Sequence, residues 1–173
     1  MKTILTEEQL DITIQRLSHQ LLENQVRYDD IAIIGIQPRG IFFPDRIVEQ
    51  INQQIKPQQI TYGKLDITFY RDDIRQGLHT LNQTAIPFSI ENKTVILVDD
   101  VLYTGRTIRA AMDALLAFGR PAKVELCVLI DRRFSREFPI QADYAGRSID
   151  TIITQKVKVL WKERDGKEEV VLL

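Results

Sequence analysis

The sequence predicts an α/β domain with a mainly parallel sheet flanked by helices. Three observations carry that expectation. The apolar runs Ile31–Ile36, Val95–Val98 and Val124–Ile130 are continuous rather than alternating, as strands covered on both faces require. Segments with helical spacing of apolar residues lie between them. Gly119 and Pro121 close the helical segment before the third run, which gives a β-α-β order.

Thr6-Glu-Glu-Gln9 has the pattern of a capping box. Leu10, Ile14, Leu17 and Leu21 follow at helical spacing, so residues 7–24 are expected as an amphipathic helix. Ile31–Ile36 is a strand that runs into the turn Gln37-Pro38-Arg39-Gly40, and residues 41–55 read as a helix. Leu65, Ile67 and Phe69 alternate with Lys64, Asp66 and Thr68, the pattern of a strand with one buried face. Residues 71–87 have weak periodicity and many polar groups, and a long loop with mobile parts is expected there. Val95–Val98 is the next strand; Ile108, Met112, Leu115 and Leu116 mark the helix after it. After Val124–Ile130, residues 131–150 read as irregular and rich in arginine. Val157, Val159 and Trp161 alternate toward Asp165-Gly166, a hairpin turn, and Val170-Val171-Leu172 returns. No repeat, low-complexity segment or linker interrupts the chain, so a single domain over residues 1–173 is expected.

The chain has 173 residues, 44% of them hydrophobic, which suits one domain with a real core. A net charge of −1 gives no global basic signal for nucleic acid, so any such surface must be a local patch. Cys127, the only cysteine, lies in a buried-strand pattern and reads as a packed thiol. Met1-Lys2-Thr3-Ile4-Leu5 is followed closely by Glu7 and Glu8, unlike a signal peptide, and no apolar run has the length of a membrane span. A cytoplasmic protein is expected.

The most informative segment is Val95-Ile-Leu-Val-Asp-Asp-Val-Leu-Tyr-Thr-Gly-Arg-Thr107. A buried strand ends in two carboxylates, and a glycine-bearing loop then enters a helix. The acids suit ribose hydroxyls, and loop amides at a helix start suit a phosphate. Alone, Asp-Asp fits a solvated strand end; followed by Tyr-Thr-Gly-Arg-Thr, it reads as part of a sugar-phosphate site. In open α/β sheets ligands bind beyond the carboxyl ends of the strands. Three loops lie there, 36–40, 99–107 and 131–139, and all three carry arginine.

These residues resemble the type I phosphoribosyltransferases. Val95 to Thr107 looks like their phosphoribosyl-diphosphate motif, and Ile34-Gly-Ile-Gln-Pro-Arg-Gly-Ile41 resembles their pyrophosphate loop. Leu65-Asp-Ile-Thr-Phe-Tyr-Arg-Asp-Asp73 and Phe138-Pro-Ile-Gln-Ala-Asp-Tyr-Ala-Gly146 resemble segments of one branch, the pyrimidine operon attenuation regulators with uracil phosphoribosyltransferase activity. The resemblance runs from the first helix to about Val159. It implies a type I phosphoribosyltransferase fold with a small C-terminal hood, mainly residues 131–160, and a β-hairpin.

The resemblance also implies a reaction: uracil and phosphoribosyl diphosphate give UMP and diphosphate, with magnesium bound alongside the diphosphate substrate. Catalysis would then be positioning and charge management around a departing anion. Asp99 and Asp100 are implied for the ribose hydroxyls, directly or through the metal, and Arg71 joins them as a catalytic candidate. The 5-phosphate falls to the loop Val101, Leu102, Tyr103, Thr104, Gly105, Arg106 and Thr107. Gln37, Pro38, Arg39 and Gly40, with Arg75, are implied for the diphosphate, because a guanidinium fork matches phosphate geometry. Arg132 and main-chain groups near Lys156 and Val157 are implied for the base. Tyr103 stands where similar 6-oxopurine enzymes carry an aspartate. That departure favours a pyrimidine over a purine or xanthine phosphoribosyltransferase, and it leaves no evident general base.

The same resemblance implies a second role, UMP- and UTP-responsive binding of pyrimidine-operon leader mRNA. RNA binding needs a local basic face. The candidates are Arg16, His19, Arg136 and Arg147. Asn24 and Gln141 stand where RNA-binding members usually carry arginine, so an enzyme without the regulatory role is the competing reading. A homodimer or higher assembly is implied too, with Phe42 and Phe43 as apolar candidates for an interface or for the core.

Overall fold

The computed structural model describes residues 1–37, 41–70 and 84–173. Five strands form the main sheet: β2 (Ile31–Gln37), β3 (Thr61–Asp66), β4 (Thr94–Leu102), β5 (Lys123–Arg133) and β6 (Tyr144–Asp150), in the order β3-β2-β4-β5-β6. Every pairing in it is parallel. Three helices cover it: α1 (Glu7–Glu23), α2 (Phe42–Ile55) and α3 (Arg106–Leu115). A separate three-stranded antiparallel sheet joins β1 (Lys2–Leu5), β8 (Glu169–Leu172) and β7 (Val157–Leu160), with one helical turn, α4 (Lys162–Asp165), between β7 and β8. The mainly parallel α/β architecture expected from the sequence is therefore present.

The core divides along the faces of the main sheet. Successive strand side chains point to opposite faces. Ile31, Ile33, Ile96, Val98, Cys127 and Leu129 pack with α1, α2 and the small sheet. Ile34, Ile36, Val95, Leu97, Leu126 and Val128 pack with α3. Because both faces are covered, the strands read as unbroken apolar runs. Cys127 is buried, and burial pushes its thiol well above the usual range, which makes it inert packing.

The capping box closes as read: Thr6 Oγ1 accepts from the Gln9 N–H at 3.3 Å, and Gln9 Oε1 accepts from the Thr6 N–H at 3.1 Å. Phe43 is fully buried and Phe42 packs against the core, so both serve the fold of this chain. Among the described residues no helix is long and apolar enough to cross a membrane.

Four expectations need correction. The strand expected through Phe69 stops at Asp66. The Asp66 carboxylate accepts from the Thr68 N–H at 2.8 Å and hydroxyl at 2.6 Å, an Asx turn that ends the ladder in a 3-10 turn. The segment 131–150, expected as irregular, holds the end of β5 and all of β6. β6 was hidden because it is an edge strand, polar along much of its length and held by backbone bonding to β5. The helix marked by Met112 and Leu116 exposes both side chains; its buried stripe is Ile108, Ala110, Ala111, Ala114 and Leu115. The hairpin turn at Asp165-Gly166 is longer than two residues, because α4 occupies it. The expected hood span 131–160 is thus shared between the two sheets, and the long loop expected at 71–87 lies outside the described residues up to position 83.

Where α1 crosses β6 the backbones touch. A Cβ on Gly146 would sit 2.5 Å from the Leu129 carbonyl oxygen and 2.7 Å from Thr13 Cγ2. Gly146→Ala is expected to destabilise the fold by about 1–3 kcal/mol through overpacking, read as a lowered urea midpoint with an unchanged slope.

Candidate active site

Strands β2, β4 and β5 all end at the same edge of the sheet, and their loops converge there. β4 carries Asp99 and Asp100 near its end, and the chain then turns through Tyr103, Thr104 and Gly105 into α3. Gly105 caps that helix at φ +90°, a conformation L side chains rarely adopt. A cavity of about 360 Å³ opens at this turn, lined by Asp99, Val101 to Ile108 and Glu137. Its floor is a helix N-terminus, where main-chain N–H groups favour an anion.

The two aspartates are not equivalent. Asp99 is buried and its carboxylate accepts from the Asp100 N–H at 2.9 Å. Asp100 projects to the other face of the strand and does not line the cavity. Burial pushes its carboxyl up to about 6, against the lowering effect of the Val101 N–H, of Asp99 and of the Arg164 guanidinium charge. The placement of Asp100 corrects the expectation that both carboxylates serve one site; Asp99 supplies the hard oxygen donor that magnesium prefers. Among the described residues no group of three or more His, Cys, Asp or Glu forms a metal cage. The donor set therefore fits an ion held jointly with a phosphorylated substrate and water.

Arg132 is buried beside the loop, its guanidinium carbon 3.8 Å from the centre of the Tyr103 ring. Its Nε donates to Thr151 Oγ1 at 2.9 Å and Nη2 to the Gln155 carbonyl at 2.9 Å. Burial lowers its pKa, yet an arginine keeps its charge. Its bonding partners among the described residues are a hydroxyl and carbonyls, so the charge has no carboxylate bonded to it.

The base-binding pair separates. Lys156 exchanges both main-chain bonds with Leu173, at 2.9 and 2.8 Å, so its main chain is not available to a base. Antiparallel pairing then turns the N–H and C=O of Val157 to the other side of β7, the outer edge of the small sheet. Of the diphosphate set, Gln37 ends β2, half-buried beside Asp66 of β3. Pro38, Arg39, Gly40, Arg71 and Arg75 lie outside the described residues.

Arg16, His19 and Arg147 are exposed. Arg16 Nη2 donates to the Gly146 carbonyl of β6 at 2.5 Å and Arg147 Nη1 to the Ile4 carbonyl of β1 at 2.6 Å, so each guanidinium is tied to the main chain. Arg136 is turned inward and bonds Tyr103, Arg132, Ile140 and Asp131. Those bonds correct its expected place on an open basic face.

Sequence reading missed Glu137. Its carboxylate lines the cavity and accepts from Arg106 Nε at 2.6 Å. The contact joins residues 31 positions apart, so no local spacing announces it.

A strand-end carboxylate, a left-handed glycine and a helix N-terminus around one cavity are the parts a sugar-phosphate site needs. The phosphoribosyl transferase domain family matches residues 1–164, and the chain belongs to that family. It is 46% identical over 174 residues to the bifunctional protein PyrR of Elusimicrobium minutum, across 99% of this chain and 96% of that one. To the bifunctional protein pyrR of Enterococcus faecalis it is 46% identical over 160 residues, 92% and 89% of the two chains. The PyrR proteins are therefore its branch of the family. Among solved structures it resembles the hypoxanthine phosphoribosyltransferase of Trypanosoma cruzi, with TM-score 0.75 at 18% identity over 100% of this chain and 96% of that one. It resembles a Staphylococcus aureus hypoxanthine phosphoribosyltransferase with TM-score 0.72 at 22% identity over 98% and 90%. At these identities the likeness is one of fold, the type I phosphoribosyltransferase fold.

Two outcomes are expected. Between the ordinary carboxylate value of 3.8 and about 6, the native state holds a proton on Asp100 that the unfolded chain has released. The contribution of Asp100 to stability therefore falls as pH rises through that window, opposite in sign to the lowered carboxyls of Glu163 and Asp165, and Asp100→Asn removes that contribution in urea melts at a series of pH values. Gly105→Ala adds the cost of a left-handed non-glycine residue, about 1–2 kcal/mol, and weakens ribose 5-phosphate binding in calorimetry.

Proposed function

We propose that the protein is a uracil phosphoribosyltransferase that makes UMP and diphosphate from uracil and phosphoribosyl diphosphate. The observation that carries the reading is the cavity at the end of β4, where an anion-accepting loop and Asp99 lie side by side. The loop from Thr104 to Thr107 takes the 5-phosphate, and Asp99, in the cavity wall, takes the ribose hydroxyls. This fixes C1 of the ribose at a set distance from the base edge, which is the main source of acceleration in such a transfer. The uracil N1 forms a bond to C1, the C1–oxygen bond breaks, diphosphate leaves with the electron pair, and N1 loses its proton.

Gln37, Pro38, Arg39 and Gly40, with Arg75, are the proposed diphosphate contacts, and Arg71 is a proposed catalytic residue. Arg132, a buried cation whose bonds among the described residues go to a hydroxyl and carbonyls, adds positive charge where negative charge develops. Magnesium, held by the substrate diphosphate with Asp99, would neutralise charge on the leaving group. Uracil sits against the outer edge of β7, where the Val157 N–H and C=O read it. Tyr103 puts a ring under Arg132 at the motif position that holds a carboxylate in the purine enzymes it resembles.

The relatives are named bifunctional, and the exposed arginines Arg16 on α1 and Arg147 on β6 support a second role. The protein binds the leader RNA of pyrimidine genes on the α1–β6 face, more tightly with UMP or UTP, in the cytoplasm and as a homodimer or larger assembly. His19 lies on the same exposed side of α1.

Incubation with phosphoribosyl diphosphate, magnesium and each free base should give nucleotide from uracil; product from hypoxanthine and none from uracil would overturn the base assignment. The double variant Asp99→Asn with Asp100→Asn should lose transfer by about a thousandfold or more while staying folded, since transition-state charge and position are both lost. Affinity for a pyrimidine leader should exceed that for a scrambled RNA and rise with UMP. Equal, salt-sensitive binding of both RNAs would remove the regulatory role.

A further inference from the structure

A loop that aims its N–H groups at an anion turns its carbonyls the other way, and those carbonyls need donors. In the Tyr103–Gly105 turn the donors come from one short segment. Arg136 Nη1 donates to the Tyr103 carbonyl at 2.6 Å. The Thr104 carbonyl accepts from the Glu137 N–H at 2.8 Å and the Phe138 N–H at 3.2 Å. A trans peptide carries its C=O and the following N–H on opposite sides. Pinning the Tyr103 and Thr104 carbonyls to donors in residues 136–138 thus fixes the Thr104 and Gly105 N–H groups on the opposite side of their peptide planes, in a turn that lines the cavity.

Arg136 is itself anchored by the chain ends it joins. Nη1 also reaches the Arg132 carbonyl at 3.0 Å, Nε reaches the Ile140 carbonyl at 2.8 Å, and Nη2 pairs with the Asp131 carboxylate. Its side chain is 22% exposed, and all three guanidinium nitrogens are engaged. Phe138 and Ile140 complete the wall behind the turn, with Ile140 Cδ1 3.2 Å from where a Cβ on Gly105 would stand. A lysine has a single donor point and cannot span acceptors this far apart, whereas the rigid fork of arginine does.

Resting on the reading of residues 104–107 as the 5-phosphate loop, we infer that Arg136 is a positioning residue that holds this loop in its anion-accepting shape through the Tyr103 carbonyl.

The test compares wild type, Arg136→Met, Arg136→Lys and Leu17→Ala, the last a core variant on α1 remote from the loop. Calorimetry with ribose 5-phosphate and steady-state rates are measured beside thermal melts. Arg136→Met should bind ribose 5-phosphate about tenfold more weakly and raise the KM for phosphoribosyl diphosphate by a similar factor, with the uracil KM within about twofold. Arg136→Lys should fall between wild type and Arg136→Met. Leu17→Ala should lower Tm while keeping wild-type affinity. Should Arg136→Met fail to fold, Arg136→Lys carries the comparison, and wild-type affinity at a lowered Tm overturns the inference. Wild-type affinity in Arg136→Met, or a matching loss in Leu17→Ala, overturns it while leaving the phosphate loop assigned. Failure of wild type to bind ribose 5-phosphate removes the loop assignment and this inference together.

Discussion

The opposition of N–H and C=O across a peptide plane governs this molecule's active edge. A turn that faces its amides into a cavity must satisfy its carbonyls on the other side, and here the solution is distributed over the chain. The β4–α3 turn supplies the amides, and residues 136–140 supply what stands behind them. The parallel sheet makes this possible, because β4 and β5 are adjacent and end at the same edge. The loop leaving β5 therefore passes directly behind the loop leaving β4.

Charge is arranged around the same edge with little waste. Asp99 and Asp100 are neighbours in sequence but face opposite ways, so only one carboxylate enters the cavity wall. Arg106 is met by Glu137, and Arg136 by Asp131. Arg132 is the exception, a buried cation whose bonds go to a hydroxyl and carbonyls and whose face lies on an aromatic ring. Placing such a group in the interior costs desolvation that hydrogen bonds to neutral partners only partly offset.

Much of this was legible in the chain. Strands β2, β4 and β5 announce themselves as unbroken apolar runs because helices cover both faces of the sheet, and the capping box of α1 is a local pattern with a local cause. The acid pair and Thr104-Gly105-Arg106-Thr107 were legible because strand, turn and helix start are contiguous. What escaped depends on partners distant in sequence. β6 is held by its neighbour's backbone, so its own side chains carry little signal. Asp66 ends a strand by a side-chain bond that an alternation pattern does not register. Arg136 and Arg147 look alike in sequence, yet one is consumed by a carbonyl cluster and the other stays at the surface. Residue type fixes what a side chain can do, and long-range contacts decide which of those things it does.

Among the described residues the two sheets share no hydrogen-bonded ladder. The β4–α3 turn and its cavity belong to the five-stranded sheet and its loops, whereas the strand edge at Val157 belongs to the three-stranded one. A substitution that shifts β7 against β8 therefore leaves the register of β4 and β5 untouched. The two edges can vary independently of each other while the parallel frame stays constant.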